Sequence, residues 1–316
     1  MVNTYFGGAD GLIPRKLADH HTKVFAEVFN KALENAKVTI NEIDLIAFAQ
    51  GPGIGAPLSV GIAGAKYLAW KFDKKIIGVN HGYAHAKISE YLCKMKNPLV
   101  IYVSGGNTQI IVEENEGEKN RPGKHKEKIK QINRYRVLGE TLDIGIGNLF
   151  DNFARSIKME KAHGSELEKL AKKGKYVELP YTVKGMNLVF SGLLTAAEKK
   201  AESEKKEDVA FSIMETAFAM TAEVTERALF LTNKKQLVVC GGVAQNRRFQ
   251  KMLREMCKEA KVKFGVAPDK FNRDNGTMIA YEGSLLYEKY GGMKIENCNP
   301  ITNYRIDKMD DILELK

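Results

Sequence analysis

The sequence has few cysteines, and those it has are far apart. Cys93, Cys240, Cys257 and Cys298 are all of them, and no two form a C-x-x-C pair. A disulfide framework and a cysteine-type zinc site both depend on closely spaced or patterned cysteines. The spacing therefore argues against both, and buried, unreactive thiols are the interpretation that we favour for most of the four.

Long hydrophobic runs are also missing. The apolar stretches are much shorter than the roughly 20 residues that a membrane-spanning helix needs, and residues 1–16 lack the apolar core of a signal peptide. At 316 residues, the chain is long enough for two domains of ordinary size. We therefore expect a cytoplasmic protein of two domains that does not associate with a membrane.

Acidic residues are outnumbered by basic ones. The chain has 49 lysines and arginines against 39 aspartates and glutamates, which gives a net charge of +10. Such an excess attracts polyanions through counterion release, so nucleic acid is a candidate partner. Lysine-rich segments such as residues 198–206, where both signs of charge alternate, often serve solubility alone. Charge by itself leaves both interpretations open.

The pattern of apolar residues predicts a mixed α/β protein. Apolar residues at helical spacing predict an amphipathic helix over residues 15–36 and a long core helix over residues 209–231. Short apolar runs bounded by turns predict buried strands. These runs are residues 43–48, 76–79, 98–103, 237–240 and 263–266.

Two histidine pairs stand near predicted helix starts. His81 and His85 are four residues apart, which on a helix puts both imidazoles on one face, with about 5–6 Å between the Cβ atoms. That spacing suits two ligands of one metal ion, although the pair alone is a weak signal. His20 and His21 form the other pair, but surface or capping histidines are commoner than ligands at such a position.

Two of the predicted strands run directly into glycine turns. The strand at 98–103 is followed by S-G-G-N-T, and the strand at 237–240 by G-G-V-A-Q-N. Glycine turns of this kind can aim backbone N–H groups at an anion. Two separate strand, turn and helix units therefore suggest a nucleotide held between two related α/β halves.

One segment has the composition of a surface loop. Residues 113–133 are almost wholly polar, with many lysines, and cannot bury enough apolar surface to become ordered. We expect a mobile charged loop over about 111–135, between two hairpin strands. It would separate an N-terminal domain, residues 1–110, from a C-terminal domain, residues 136–316, with a helical insertion at about 158–208.

Six motifs occur in a characteristic order along the chain: H-G-Y-A-H, Y-V-S-G-G-N-T-Q, G-E-T-L-D-I-G-I-G-N, V-K-G-M-N-L-V-F-S-G-L-L-T-A-A, G-G-V-A-Q-N-R and D-N-G-T-M-I-A. Together they resemble the TsaD/OSGEP (Kae/Gcp) family in its archaeal form, over residues 7–307. The resemblance implies the α/β fold of the actin-like ATPases (ASKHA), in which two related α/β domains enclose the substrate cleft.

The resemblance also implies an activity. Members of the family are the catalytic subunits of the KEOPS complex and act as acyltransferases on tRNA. They move the threonylcarbamoyl group from threonylcarbamoyl-adenylate to the exocyclic amine of the adenosine beside the anticodon, in tRNAs that read ANN codons, and AMP is released. By resemblance, the partners are tRNA, a kinase-like subunit and the small subunits of that complex.

The site residues follow from the same resemblance. One iron or zinc ion would be bound by His81, His85, Asp274 and the phenolate oxygen of Tyr102. The ordinary pKa of tyrosine is about 10, but a bound cation favours the deprotonated phenolate. No residue stands out as a general base. The residues that the resemblance implies for binding the adenylate are Tyr102, Val103, Ser104, Gly105, Gly106, Asp151, Gly164, Glu168 and Asn246.

Other functions are weighed against this one. Family members begin with a β-hairpin that has no counterpart before residues 19–21, so we expect that hairpin to be missing. A structural subunit of the same complex that lost its activity with the hairpin is the alternative, although all four metal positions are retained. A metalloprotease is disfavoured because no glutamate lies between His81 and His85. A sugar-kinase-like ATPase would share the fold, which does not decide function.

Overall fold

The structure is a computed structural model, and it describes residues 2–3, 5, 13–114 and 134–308. Its described residues divide into two compact units. The first unit draws on Met1–Ile88, Glu113–Arg136 and Asp274–Lys316, and the second on Ser89–Val112 and Val137–Arg273. The domain boundaries that the sequence suggested at residues 110 and 136 stay a prediction.

The described residues alternate between helices and strands, which confirms the expected mixed α/β fold. The helices are α1 (Pro14–Ala36), α2 (Gly55–Lys71), α3 (His81–Leu92), α4 (Ile146–Ser156), α5 (Gly164–Ala171), α6 (Ser191–Lys200), α7 (Lys206–Thr232), α8 (Arg247–Glu259), α9 (Asp269–Asn272) and α10 (Gly276–Tyr290). The strands are β1 (Leu45–Gly51), β2 (Lys75–Asn80), β3 (Leu99–Val103), β4 (Thr108–Glu114), β5 (Arg134–Glu140), β6 (Val183–Lys184), β7 (Asn187–Leu188), β8 (Gln236–Cys240) and β9 (Lys263–Val266). Within the described ranges, no helix is long and apolar enough to cross a membrane.

The first unit contains a two-stranded parallel sheet of β1 and β2, in which Phe48 lies opposite Gly78. Helices α1 and α2 pack closely because α2 is rich in small residues: a Cβ atom at Gly64 would lie 2.3 Å from the ring of Phe25. Phe48 also belongs to a small apolar core, together with Ile76 from β2. Strand β2 ends where α3 begins, so the sheet determines where the first residues of α3 lie.

Most of a five-stranded sheet lies in the second unit, in the order β5-β4-β3-β8-β9. Strand β3 pairs antiparallel with β4 and parallel with β8, which in turn pairs parallel with β9. All five residues of β3 are buried, as expected for a central strand covered on both faces. Helix α7 packs against this core through Phe218, whose ring stacks on that of Phe249 in α8.

Two segments differ from the sequence-based expectation. Strand β4 continues to Glu114 and β5 begins at Arg134, so the ends of the expected loop over 111–135 are strands. The strands extend because Ile111, Val112 and Tyr135 are buried, and this burial stabilises the paired strands. The rest of the loop, residues 115–133, lies outside the described residues. The helical insertion at 158–208 also contains the short hairpin of β6 and β7, which turns at Gly185 with a φ of +64°.

Candidate metal centre and glycine-turn site

The start of α3 is fixed by a capping residue at the end of β2. The side-chain oxygen of Asn80 accepts a hydrogen bond from the backbone N–H of Tyr83 at 3.0 Å. Its amide nitrogen donates to the backbone oxygen of Tyr304 at 3.0 Å. Asn80 is buried, and a capping side chain of this kind satisfies a helix N–H that otherwise has no partner. The direction in which His81 and His85 leave the helix is therefore well defined.

Three potential metal ligands come together in the first unit. The Nε2 atoms of His81 and His85 lie 3.2 Å and 3.1 Å from Oδ1 of Asp274, and the two imidazole centroids are 4.8 Å apart. The three ligand atoms all lie within 4.8 Å of one another. His85 is buried, whereas 80% of the Asp274 side chain is exposed. The predicted helical spacing of the histidines is confirmed, and the cluster is open to solvent on its carboxylate side.

The electrostatics of the cluster suit a cation. Burial lowers the pKa of His85 and outweighs the opposing effect of Asp274, which favours the neutral imidazole that metals bind. Desolvation alone would raise the pKa of Asp274, but hydrogen bonds from His81 and His85 hold that pKa well below its usual value. Two imidazole nitrogens and a carboxylate fit a divalent ion such as zinc or iron, and three protein ligands leave a position open for a substrate.

Tyr102 lies in the second unit, one residue before the carboxyl end of β3. Only 2% of its surface is exposed, and it pairs with Gln109 on one side and Cys240 on the other. The sequence pattern correctly predicted a buried strand tyrosine. Its part in binding a metal stays a prediction.

The glycine turn after β3 is held by the N-terminus of α4. The backbone N–H of Gly147 donates to the Ser104 oxygen at 3.1 Å, and that of Asn148 donates to the Gly105 oxygen at 2.9 Å. Within the turn, the Ser104 N–H donates to the Asn107 oxygen at 2.8 Å. Gly105 and Gly106 are exposed. The first N–H groups of α4 therefore bind the turn itself, and the glycines of the turn face outward.

Close packing explains why two positions beside this turn are glycines. A Cβ atom at Gly145 would lie 2.4 Å from the oxygen of Gly105, and one at Gly147 would lie 2.7 Å from the Gly105 Cα. The second glycine turn begins at Gly241, which has a φ of +96° and leaves no room for a Cβ beside the oxygen of Val103. Because β3 and β8 are parallel neighbours, both turns lie at the same carboxyl edge of the sheet, where α/β proteins commonly bind ligands.

The other residues expected to bind the adenylate lie on helices of the second unit. Oδ1 of Asp151, on α4, accepts a hydrogen bond from the N–H of Gly164 at 2.7 Å. Burial raises the pKa of Asp151, and this hydrogen bond opposes that rise. Glu168, further along α5, pairs with Lys172 at 3.8 Å. Asn246 caps α8 by accepting from the Phe249 N–H at 3.0 Å. The structure thus joins Asp151 to Gly164, while the substrate contacts of all four stay predictions.

Sequence reasoning missed Asp143, which binds the start of α6. Its carboxylate accepts hydrogen bonds from the backbone N–H groups of Ile144 at 2.7 Å, Phe190 at 2.9 Å and Ser191 at 2.7 Å. Desolvation would raise its pKa, but a hydrogen bond from the Ser191 side chain, together with those from the three backbone N–H groups, outweighs that effect and lowers the pKa to about 2. The aspartate of the G-E-T-L-D motif was the available signal, but its partners follow it by 47 and 48 residues.

A buried ion pair on α3 was also missed. Nζ of Lys87 lies 2.8 Å from Oε1 of Glu113, and only 14% and 5% of the two side chains are exposed. The same ammonium lies over the rings of Tyr135 and Tyr83, at 5.0 Å and 5.4 Å from their centroids. Cation–π contacts and the ion pair together attach α3 to the ends of β4 and β5. A lysine two residues after His85 was the only signal.

Comparison with known proteins identifies related sequences. The family model described as "TsaD: tRNA N6-adenosine threonylcarbamoyltransferase" matches residues 2–281. The chain is 45% identical over 313 residues to the tRNA N6-adenosine threonylcarbamoyltransferase of Thermococcus sibiricus. The match covers 98% of this chain and 91% of that protein. It is also 45% identical over 302 residues to a probable bifunctional tRNA threonylcarbamoyladenosine biosynthesis protein of Methanothermobacter thermautotrophicus. That match covers 95% of this chain and 53% of the relative, so the chain spans about half its length.

Comparison of folds gives a more distant likeness. The crystal structure of T. kodakarensis HypF has a TM-score of 0.62 with this chain, at 16% sequence identity. The match covers 85% of this chain and 44% of HypF. At this identity the likeness shows a shared fold and carries no information on activity.

Proposed function

The chain belongs to the TsaD family of tRNA N6-adenosine threonylcarbamoyltransferases, and from this premise we propose that it modifies tRNA by acyl transfer. The exocyclic amine of the adenosine beside the anticodon attacks the carbamoyl carbon of threonylcarbamoyl-adenylate. The new C–N bond replaces the bond from that carbon to the phosphate oxygen, the amine loses a proton, and AMP leaves. The observation that carries this function is the family match over residues 2–281, which includes the three clustered ligands and both glycine turns.

A metal ion would be held by the cluster in the first unit. His81, His85 and Asp274 offer two imidazole nitrogens and a carboxylate oxygen close together, and we propose Tyr102 as a further ligand of an iron or zinc ion. When bound, such an ion polarises or positions a carbonyl group. The Asp274 carboxylate is charged at neutral pH, and its lowered pKa extends the charged form to more acidic solution, so a cation binds without displacing a proton from that group.

The adenylate would be held by the carboxyl edge of the five-stranded sheet. The adenylate would lie against residues 102–106, and the exposed backbone N–H groups of Gly105 and Gly106 would contact the phosphate, because glycine turns bind anions in this way; the Ser104 N–H already donates within the turn. The ribose and base would contact Asp151, Gly164, Glu168 and Asn246. Carboxylates suit ribose hydroxyls, since ionised oxygens accept strong hydrogen bonds. The contact between Asp151 and Gly164 supports this assignment, because it already joins two of the four residues.

Partner proteins would complete the activity. We propose that the chain acts in the cytoplasm within a KEOPS-type complex, with a kinase-like subunit and small subunits, and has little activity alone. The relative from Methanothermobacter thermautotrophicus supports this, because it is described as bifunctional and is about twice as long as the matched region. Two activities that work in physical association are the kind that become joined in one chain.

Nucleoside analysis tests the proposed function. The chain, alone and with its partners, is incubated with threonylcarbamoyl-adenylate and a tRNA that reads an ANN codon, and the digested tRNA is analysed by mass spectrometry. We expect threonylcarbamoyladenosine and an equal amount of AMP from the complex, and much less from the chain alone. A tRNA with guanosine in place of the reacting adenosine is the control. Equal labelling of both tRNAs, or none of either by the complex, would contradict the proposal.

A further inference from the structure

The amino edge of the five-stranded sheet is rich in lysine. Strands β3, β8 and β9 are parallel, so they begin at the same edge, opposite to the glycine turns. The residues at the three strand starts are 94–98, 233–236 and 258–263, and they include seven lysines and one acidic residue, Glu259. We call these lysines the lysine edge. They are Lys94, Lys96, Lys234, Lys235, Lys258, Lys261 and Lys263.

Hydrogen bonds join the three segments directly. The N–H of Lys96 donates to Oε1 of Gln236 at 3.1 Å, and Nζ of Lys234 donates to the Asn97 oxygen at 3.0 Å. The N–H of Lys263 donates to the Lys235 oxygen at 2.9 Å. The lysines are therefore neighbours in space, although they come from three distant parts of the sequence. All of them except Lys234 are exposed.

The exposed lysines of the edge lack acidic partners. Within the described part of the chain, none of the six forms an ion pair, whereas Lys169 on α5, Lys172 directly after α5 and Lys251 on α8 each pair with a glutamate three or four residues away. Glu259 is the acidic residue within the three segments, and Glu255 on α8 already pairs with Lys251. Positive charges held together without counter-charges repel one another, so this edge is suited to an external polyanion.

Exposed aromatic rings accompany the lysines. Tyr91, at the end of α3, is 61% exposed and precedes Lys94 by three residues. Phe230, at the end of α7, is 72% exposed and precedes Lys234 by four residues. The hydrogen bond from Lys234 to the Asn97 oxygen connects the two segments that carry these rings. Cationic grooves with exposed aromatic rings are the combination with which proteins hold unpaired nucleotides, because each base stacks on a ring while its phosphate meets a cation.

We propose that the lysine edge, with Tyr91 and Phe230, binds the phosphate backbone and unpaired bases of the tRNA at a place away from the reacting adenosine. The inference rests on the proposed function, which makes tRNA the polyanion that this chain must hold. Three neighbouring strands span about 10 Å, wide enough to meet several phosphates of one strand. The amino and carboxyl edges of five-residue strands are about 17 Å apart, a distance that a folded tRNA exceeds. An acidic protein would meet the lysines but would gain nothing specific from base-stacking rings.

The test compares tRNA affinity at several salt concentrations for the full-length chain and two variants. The edge variant carries Lys94→Gln, Lys96→Gln, Lys261→Gln and Lys263→Gln. The control variant carries Lys16→Gln, Lys23→Gln, Lys37→Gln and Lys75→Gln, which are equally exposed and lower the net charge by the same amount. Lys37 has a φ of +56°, close to the +52° and +55° of Lys94 and Lys261, so the control variant also includes a position with this backbone conformation. Thermal unfolding confirms that both variants are folded.

The lysine edge should account for a measurable part of the salt dependence. Each lost phosphate contact lowers the slope of log affinity against log salt by about 0.7 to 0.9, so two or more lost contacts lower the edge variant's slope by about 1.4 or more. The slope of the control variant should differ from the parent's slope by no more than about 0.4, which is half the effect of one phosphate contact. Equal slopes for the edge and control variants would overturn the proposal.

A third variant, Tyr91→Ala with Phe230→Ala, separates stacking from charge. We expect its tRNA affinity to fall by about thirtyfold or more with the slope unchanged, because each of the two stacked bases contributes about fivefold or more to the affinity. Unchanged affinity would overturn the role of the rings. Displacement of tRNA by polyglutamate at equal charge concentration would overturn the assignment to RNA. If the parent binds no tRNA at any salt concentration, the proposed function fails; if all the variants match a parent that binds, only this inference fails.

Discussion

Nε2 of His85 lies 3.1 Å from Oδ1 of Asp274, although 189 residues separate them in the sequence. The same carboxylate oxygen lies 3.2 Å from Nε2 of His81. This arrangement joins the first turns of α3 to the segment that leads into α10. Each of the two elements supplies part of one ligand set, so the cluster exists only when the first unit is folded.

Single substitutions in the cluster should remove the metal. We expect His85→Ala and Asp274→Ala each to lose bound iron or zinc, because either change leaves two ligands of the cluster where there were three. Elemental analysis of the purified proteins measures the metal per chain. Asp269→Ala, five residues before Asp274 and paired with Arg247 instead, is the matched control and should keep its metal. Unchanged metal content in both cluster variants would remove the assigned site.

Asp143 should stabilise the fold in a pH-dependent way. The pKa of Asp143 is lowered to about 2, against about 3.9 in an unfolded chain. Because the folded value is the lower one, its contribution is complete above about pH 4 and is lost as the pH falls towards 2. Asp143→Ala should cost about 1 kcal/mol at pH 7, near the middle of the range for capping residues because solvent screens this exposed carboxylate.

Urea unfolding of the parent and of Asp143→Ala at pH 7 and pH 3 measures this difference. It should shrink at the lower pH. The exposed Asp44, replaced by alanine, serves as the control. A difference that is the same at pH 3 as at pH 7, or that Asp44→Ala reproduces, would show that the hydrogen bonds from Phe190 and Ser191 do not stabilise the charged form.

Removing one partner of the buried ion pair of α3 should lower the stability of the fold. Lys87→Met leaves the carboxylate of Glu113 buried without its cation, which should lower the free energy of unfolding by about 3 kcal/mol. Lys87→Met combined with Glu113→Leu should be less destabilised than the sum of the two single changes, since both charges are then absent. Urea unfolding of all four proteins completes the cycle. Lys251→Met, which breaks an exposed pair with Glu255, is the control; an equal loss there would contradict the argument.

The close packing of Gly145 against the glycine turn predicts that adding one methyl group there weakens adenylate binding. A methyl group at Gly145 cannot fit beside the Gly105 oxygen, so Gly145→Ala should displace the turn after β3 and weaken AMP binding by about tenfold or more, a loss of about 1.4 kcal/mol. Calorimetric titration with AMP measures the affinity. Gly192→Ala, on α6, meets nothing within 4 Å and should bind AMP as the parent does. Equal affinity for the two variants would move the adenylate away from this turn.

The elements were predictable where their cause is local. The unbroken apolar run of β3 and the helical spacing of His81 and His85 both follow from periodicity, and both are present in the structure. The loop boundary after β4 was less predictable, because this strand continues to Glu114 and its Glu113 carboxylate pairs with Lys87 from a distant segment. Polar composition alone therefore ended that strand too early.

The candidate site depended on contacts that spacing does not encode. Asp274 entered the ligand set only through the family resemblance, because no periodicity connects it to His85. Asp143 and Lys87 were missed for the same reason, since their partners are residues distant in the sequence. The lysine edge was hidden as well: its lysines come from three segments, and only the parallel order of β3, β8 and β9 makes them neighbours.

The most direct test of the account measures threonylcarbamoyladenosine formation while metal is returned to stripped protein. The central claim is that the His81, His85 and Asp274 cluster holds an ion on which tRNA modification depends. The reconstituted complex, freed of metal by a chelator, should form almost no modified nucleoside and should recover fully at one iron or zinc ion per chain, whereas a complex carrying His85→Ala should not recover. Full yield from the stripped complex, or full recovery of the His85→Ala complex, would contradict the claim.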